Sequence, residues 1–208
     1  MHRCGRLHQF REKRLERRLH RFFMRVQFEV TDTAVTAAEL SERFAAVAGE
    51  MAMDATFVAT ATRVRTLIMV SKQGHCLNDL LFRHKCGQLP IDIPAIVSNH
   101  MDYYQLAASY NIPFFHLPVT ADTKLVQEGK LREIIAEKQV DLVVLARYMQ
   151  VLSPGLCEHL NGRAINIHHS FLPSFKGARP YYQAHERGVK LIGATAHYVT
   201  TDLDEGPI

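Results

Sequence analysis

The chain has 208 residues, 47% of them hydrophobic and 22% charged, with a formal net charge of +4; this is the balance of a globular protein with room for one full domain and a smaller piece. No apolar run approaches the roughly 18 residues needed to span a bilayer, which argues against a membrane protein. Cys4, Cys76, Cys86 and Cys157 form no CxxC pair and have no metal-ligand spacing, so they read as reduced thiols of a cytoplasmic protein, with neither a disulfide framework nor a metal site.

The charge is unevenly spread. Residues 1–25 hold nine Arg or Lys against two Glu, a surplus of seven, which leaves about −3 for residues 26–208. A basic tail on a mildly acidic body is a poor basis for a nucleic-acid enzyme. Residues 1–21 can be read as an RNA-binding arm, as a transit peptide, or as a disordered start of no specific role. Glu12, Glu16 and the absence of Ser weaken the transit reading. So charged a run buries little, and the expectation is a disordered leader.

Residues 22–63 change texture. Phe22–Val30 alternates as a half-buried strand. Thr36-Ala-Ala-Glu39 is a capping box that opens a helix, and Leu40, Phe44, Val47 and Met51 follow at helical spacing on one face. Ala55–Ala61 is expected to be a second strand. A piece this small cannot close a core of its own.

Residues 64–208 read as α/β. The apolar runs Leu67–Val70, Ile93–Val97, Phe114–Val119, Leu142–Ala146 and Ala164–Ile167 have the character of buried parallel strands. Helical stretches lie between them at Cys76–Cys86, Tyr103–Tyr110, Lys124–Lys138 and Pro154–Leu160. Strands and helices alternating in this way imply a doubly wound, mostly parallel sheet. Ligands of such sheets bind beyond the carboxyl ends of the strands, so the residues just after each strand are the ones to examine.

Three segments stand out there. Asn166 and His168 lie two apart at a strand end and share one face; an imidazole moves protons near neutral pH, and a carboxamide donates to a developing oxyanion. Taken alone, a histidine at a strand end is more often structural. After Pro173, Ser174–Gly177 forms a loop able to rim a pocket. The second segment, Gly193–Thr200, is a strand carrying His197, followed by an acidic turn with Asp204. An Asp beside Gly-Pro is ordinarily turn chemistry, but a carboxylate near an imidazole can orient it or hold a water. The third segment, Val143–Leu152, is a buried strand whose following backbone at Met149, Gln150, Val151 and Leu152 could pair with a flat heterocycle; an ordinary strand and helix start fits the pattern equally well. The first α/β strand leads into Ser71-Lys72-Gln73-Gly74-His75, with one glycine only, which disfavours a dinucleotide turn or a Walker loop.

The segments SKQGHCLNDLL, LARYMQVLSP and NIHHSFLPSFKGARPYYQAHERGVKLIGATAHYVTTDLDEGPI closely resemble the folate-dependent formyl-transfer family, its deformylase branch in particular, from about Arg21 to Ile208. The resemblance implies a formyltransferase-like, Rossmann-type sheet in residues 64–208, preceded in 22–63 by a partial ACT-type α+β domain. It implies hydrolysis of 10-formyltetrahydrofolate to formate and tetrahydrofolate in the one-carbon supply of purine biosynthesis, with the folate as substrate and no cofactor or metal. Asn166, His168 and Asp204 would form the catalytic trio. Met149, Gln150, Val151, Leu152, Val199 and Thr200 would line the pterin slot, with His197 behind them as a supporting partner. Relatives that formylate glycinamide ribonucleotide carry a Gly-rich loop where this chain has Lys72–Cys76, so hydrolysis is expected ahead of transfer to an amine; a non-catalytic folate-binding remnant is the third reading. The resemblance further implies a longer chain at both ends and an amino-acid effector at a completed ACT-type domain. An exposed half-domain edge would favour a homo-oligomer, and the charge distribution and the lack of a long apolar run leave no nucleic-acid or membrane partner expected.

Overall fold

The computed structural model describes residues 7–16, 21–30, 35–177 and 179–208, with 7–16 and 21–23 known by their backbone alone. The chain divides into two compact units, Met1–Thr62 and Arg63–Ile208.

In the first unit, β1 (Leu7–Glu16) pairs antiparallel with β2 (Arg21–Phe28). This corrects the expectation of a disordered leader for Leu7–Glu16; residues 1–6 and 17–20 lie outside the described residues. The charge count missed it because ladder hydrogen bonds are indifferent to side-chain charge. The register also sets Leu7, Phe10 and Leu15 opposite Phe28, Val26 and Phe22, matching apolar types across the ladder. Helix α1 (Ala37–Glu50) starts as its sequence dictates. The Thr36 hydroxyl accepts from the Glu39 N–H at 3.2 Å, and the Thr36 N–H donates to Glu39 Oε2 at 2.8 Å. Of its apolar face, Leu40 and Phe44 are half-buried while Val47 and Met51 are exposed. Ala55–Ala61 forms no strand. It packs instead through Phe57, whose ring stands edge-on to Phe28 and Phe44 at 6.2 and 5.5 Å.

The second unit is a seven-stranded sheet in the order β6-β5-β3-β7-β8-β9, with β4 (Ile91–Asp92) beside the start of β3. Its other strands are β3 (Val64–Val70), β5 (Ile96–Ser98), β6 (Phe114–His116), β7 (Leu142–Leu145), β8 (Ala164–His168) and β9 (Thr195–Tyr198). Every pairing is parallel except β8 with β9. β5, β6 and β7 are shorter than their apolar runs, while β3 and β8 extend beyond theirs. Pro94 keeps Ile93–Ala95 out of β5, and Pro118 stops β6, because proline has no N–H to give a ladder.

Both faces of the sheet are covered, and the alternation along β3 shows it. Leu67 and Met69 pack with Leu131, Ile134 and Ile135 of α4 (Lys124–Glu137) and with Leu156, Cys157 and Leu160 in and after α5 (Pro154–His159). Ile68 and Val70 pack on the other side with Leu77 and Leu81 of α2 (His75–Lys85) and Ala107 of α3 (Tyr104–Ser109). A short α6 (Pro180–Glu186), not expected from the sequence, precedes β9. The winding runs outward from β3 to β6, returns across β3, and continues through β7 to β9, so the switch point lies between β3 and β7.

The turn leaving β3 is set by a close approach. A Cβ on Gly74 would lie 2.2 Å from the Tyr103 ring, whose hydroxyl donates to the Lys72 carbonyl at 2.8 Å. Gly74→Ala must expel that ring, and we expect a loss of about 1–3 kcal/mol in urea unfolding. In a Tyr103→Leu background the same substitution should cost far less; equal costs would mean that the ring is not the obstacle.

Candidate active site

The carboxyl ends of β7 and β8, and the chain leaving β9, enclose a cavity of about 300 Å³. Every residue singled out from the sequence lines it: Met149, Gln150, Val151 and Leu152 after β7, Asn166 and His168 on β8, His197 on β9, and Val199, Thr200 and Asp204 beyond it. Leu152 and Val199 are buried in its wall, while Met149 and Val151 are more than half exposed at its rim.

The antiparallel pairing of β8 with β9 assembles the polar end. Asn166 and His197 are direct cross-strand partners, so their side chains stand on the same face, and Asn166 Nδ2 lies 3.2 Å from His197 Nε2. The acidic turn then folds back. The Tyr198 N–H donates to the Pro207 carbonyl at 2.8 Å, and Gly206 sits so close to β9 that a Cβ would lie 1.7 Å from the Tyr198 carbonyl oxygen. This return places Asp204 between the two imidazoles, Oδ2 at 3.4 Å from His168 Nδ1 and Oδ1 at 3.6 Å from His197 Nε2. The Gly177 N–H donates to Oδ2 at 3.0 Å, and the Lys176–Glu205 ion pair at 2.7 Å ties the same loop to the same turn. Asp204 has φ +57°, a left-handed conformation that Asp tolerates better than most residues.

His168, His197 and Asp204 are buried, at 5%, 4% and 6% exposure, so their protein partners constrain which ring nitrogens donate. His197 Nδ1 lies 2.9 Å from the Tyr198 carbonyl, an acceptor only, so Nδ1 carries a hydrogen. In the neutral ring Nε2 is then an acceptor, and it takes one amide hydrogen of Asn166. The carboxamide is thereby oriented, with its second N–H left over. His168 Nε2 lies 2.8 Å from the Phe175 carbonyl and must also be a donor. His168 Nδ1 faces Asp204 Oδ2 at 3.4 Å. The site thus sets an imidazole–carboxylate contact beside one fixed amide donor at Asn166.

His197 was expected as a supporting partner, and the geometry places it between Asn166 and Asp204. Four contributors escaped the sequence reading. The Phe175 carbonyl and Gly177 N–H are backbone groups, which residue identity does not encode; the loop from Ser174 was the only signal for them. Arg147 follows β7 at φ +63°, with no glycine to announce the turn, and its guanidinium is held on Gln73 Oε1. His169 stacks edge-on against Tyr181 at 5.3 Å. Burial foremost, then the Arg147 guanidinium and the His168 imidazole, hold the His169 pKa below its ordinary value. Among the described residues no group of three or more His, Cys, Asp or Glu is placed to hold a metal ion, and no helix is long and apolar enough to cross a membrane.

The family profile described as "Formyl transferase" matches residues 64–208, the whole second unit. The chain belongs to the formyl transferase family. Within that family, this member is 52% identical over 188 residues to a formyltetrahydrofolate deformylase of Corynebacterium sp. (strain P-1), a match that takes in 90% of this chain and 66% of that protein. The formyl transferase fold is shared with the crystal structure of formyltetrahydrofolate deformylase from Burkholderia mallei, with TM-score 0.86, 52% identity, and coverage of 100% of this chain and 72% of that one. A phosphoribosylglycinamide formyltransferase from Anaplasma phagocytophilum is more distant, with TM-score 0.64 and 34% identity over 71% of this chain and 69% of that one. The chain therefore spans just under two-thirds of the length of the curated relative.

The depressed His169 pKa has a checkable sign. An imidazole that resists protonation in the fold lets the unfolded chain take up the proton first, so on its account stability falls as pH drops below the ordinary 6.5. The His169 midpoint followed by NMR should lie below 6.5 and move upward in Arg147→Gln; an unmoved midpoint would remove the guanidinium as a cause.

Proposed function

We propose that this chain hydrolyses 10-formyltetrahydrofolate to formate and tetrahydrofolate. The observation that carries the reading is the buried Asp204 carboxylate, held against His168 and His197 at the end of an apolar-walled cavity. The pterin would lie along the backbone edge of Met149–Leu152 with Val199 and Thr200 on the facing wall. The formyl group would then reach the Asn166–His168–Asp204 end.

In this reading Asp204 orients a water and takes its proton as the oxygen attacks the formyl carbon. The spare Asn166 N–H donates to the developing oxyanion. The His168–Asp204 pair keeps the proton and returns it to N10 as the C–N bond breaks, so water's oxygen and one hydrogen leave in formate and the other hydrogen stays on N10. His168 acts by holding charge and proton, since both its nitrogens are already engaged. No cofactor enters the scheme. The deformylase relatives support the activity, and we place the reaction in the cytoplasm, where the released formate would serve purine biosynthesis. We read residues 22–63 as the partial ACT-type domain at which an amino-acid effector would act.

Protein incubated with 10-formyltetrahydrofolate alone should release formate and tetrahydrofolate in equal amounts. Formate or formyl transfer seen only with an added amine acceptor would replace hydrolysis by transfer. Asn166→Ala should lower kcat on the order of a hundredfold or more, the usual cost of one lost oxyanion donor. Asp204→Asn should cost about 10²–10⁴-fold, the range of general acid–base catalysis; near wild-type turnover in Asp204→Asn would remove the carboxylate from the mechanism.

A further inference from the structure

One buried ionisable side chain takes no part in this chemistry. Glu128 on α4 is 9% exposed and does not line the cavity. Its Oε1 accepts the Ser153 N–H at 2.9 Å, and its Oε2 accepts the Ser153 hydroxyl. Burying a carboxylate is costly unless it is fully bonded, and capping α5 does not require one, because the Ser153 hydroxyl already accepts the Leu156 N–H at 3.3 Å and Pro154 opens the helix. What Glu128 adds is a fixed position for Ser153, the residue immediately after the Met149–Leu152 edge.

A second buried group fixes the other end. Ser71, just past β3 and 3% exposed, accepts the Met149 N–H at 3.0 Å and donates to Asn99 Oδ1 at 2.7 Å; Asn99 is 7% exposed. The cavity-lining segment is thus held from two unrelated elements at its first residue and just after its last. We propose that Glu128 and Ser71 are positioning residues for the folate, setting the Met149–Leu152 backbone edge at the height and register at which a flat heterocycle can bond to it. Tyr148, immediately before the first anchored residue, lines the cavity. Burial first, and the negative charge of Glu128 second, push its hydroxyl up to about 12, so it stays a neutral wall group throughout the working pH range.

The inference rests on the folate reading for the identity of the ligand, and the experiment separates the two. Tetrahydrofolate is titrated calorimetrically into wild type, Glu128→Ala, Glu128→Gln and Ser71→Ala. KM and kcat for 10-formyltetrahydrofolate are measured in parallel, as are amide hydrogen exchange over residues 147–153 and the melting temperature, which shows that each variant is folded. Glu128→Ala and Ser71→Ala should weaken tetrahydrofolate binding and raise KM about tenfold, the order of one hydrogen bond in an equilibrium, with kcat changing far less. The Met149 and Ser153 amides should exchange faster. Glu128→Gln keeps an acceptor for the Ser153 N–H and should recover most of the affinity; if Glu128→Ala fails to fold, Glu128→Gln and Ser71→Ala still decide the matter. Folded variants that bind tetrahydrofolate as wild type does, or that lose kcat with affinity unmoved, overturn the positioning role. Wild type that binds tetrahydrofolate but releases no formate sinks hydrolysis and leaves the variant affinities to decide the positioning role. Wild type that binds neither folate sinks both.

Discussion

A carboxylate withdrawn from water loses several kcal/mol of solvation even after the protein relaxes around it, and it is retained only where neighbours return that energy. Asp204 accepts the Gly177 N–H and is flanked by two imidazoles, and each of these neighbours comes from a different stretch of chain: the loop after β8, β8 itself, and β9. The carboxylate is therefore a junction as well as a reagent. Its left-handed backbone and the close packing of Gly206 on β9 are the local costs of bringing a turn residue back over the sheet. Removing any partner would leave charge uncompensated inside the fold, which couples the integrity of this corner to the chemistry assigned to it.

The topology explains why this corner sits where it does. A doubly wound sheet delivers loops to the carboxyl ends of its strands, and here the half built from β7 and β8 supplies the slot and the polar end. The final strand reverses direction, which is what lets a residue in its middle face the end of β8. A parallel strand at the same place would have carried its own loop away beside that of β8. The two anchors behind the slot, one from β3's end and one from α4, use the same core layers that stabilise the sheet, so binding geometry and packing share their supports.

Much of this was legible beforehand, for identifiable reasons. Asn166, His168 and Asp204 stood out as candidates by residue type near strand ends and turns, and it was the family resemblance that joined them into a trio. The runs themselves announced the sheet because strands buried on both faces leave little room for polar residues. What stayed hidden was carried by backbone or by distance. The carbonyl of Phe175 and the N–H of Gly177 have no side-chain signature, and the link from Ser71 to Met149 joins the ends of neighbouring strands that lie 78 residues apart in the chain. Leu7–Glu16 was misjudged because strand pairing depends on a partner's hydrogen bonds, which a charge count does not register. Ala55–Ala61 erred the other way, since an apolar run without a neighbouring ladder has nothing to make it a strand.

The reversed last strand carries a further implication for which sequence changes the molecule can absorb. Side chains on a strand alternate between faces, so sliding β9 by a single position would set Ala196 or Tyr198 opposite Asn166 and turn His197 to the far side. A gained or lost residue in the connection through α6 can be taken up by loop slack, whereas the same change inside β9 cannot. Length variation among functional kin should therefore gather before Thr195 and be absent from Thr195–Tyr198.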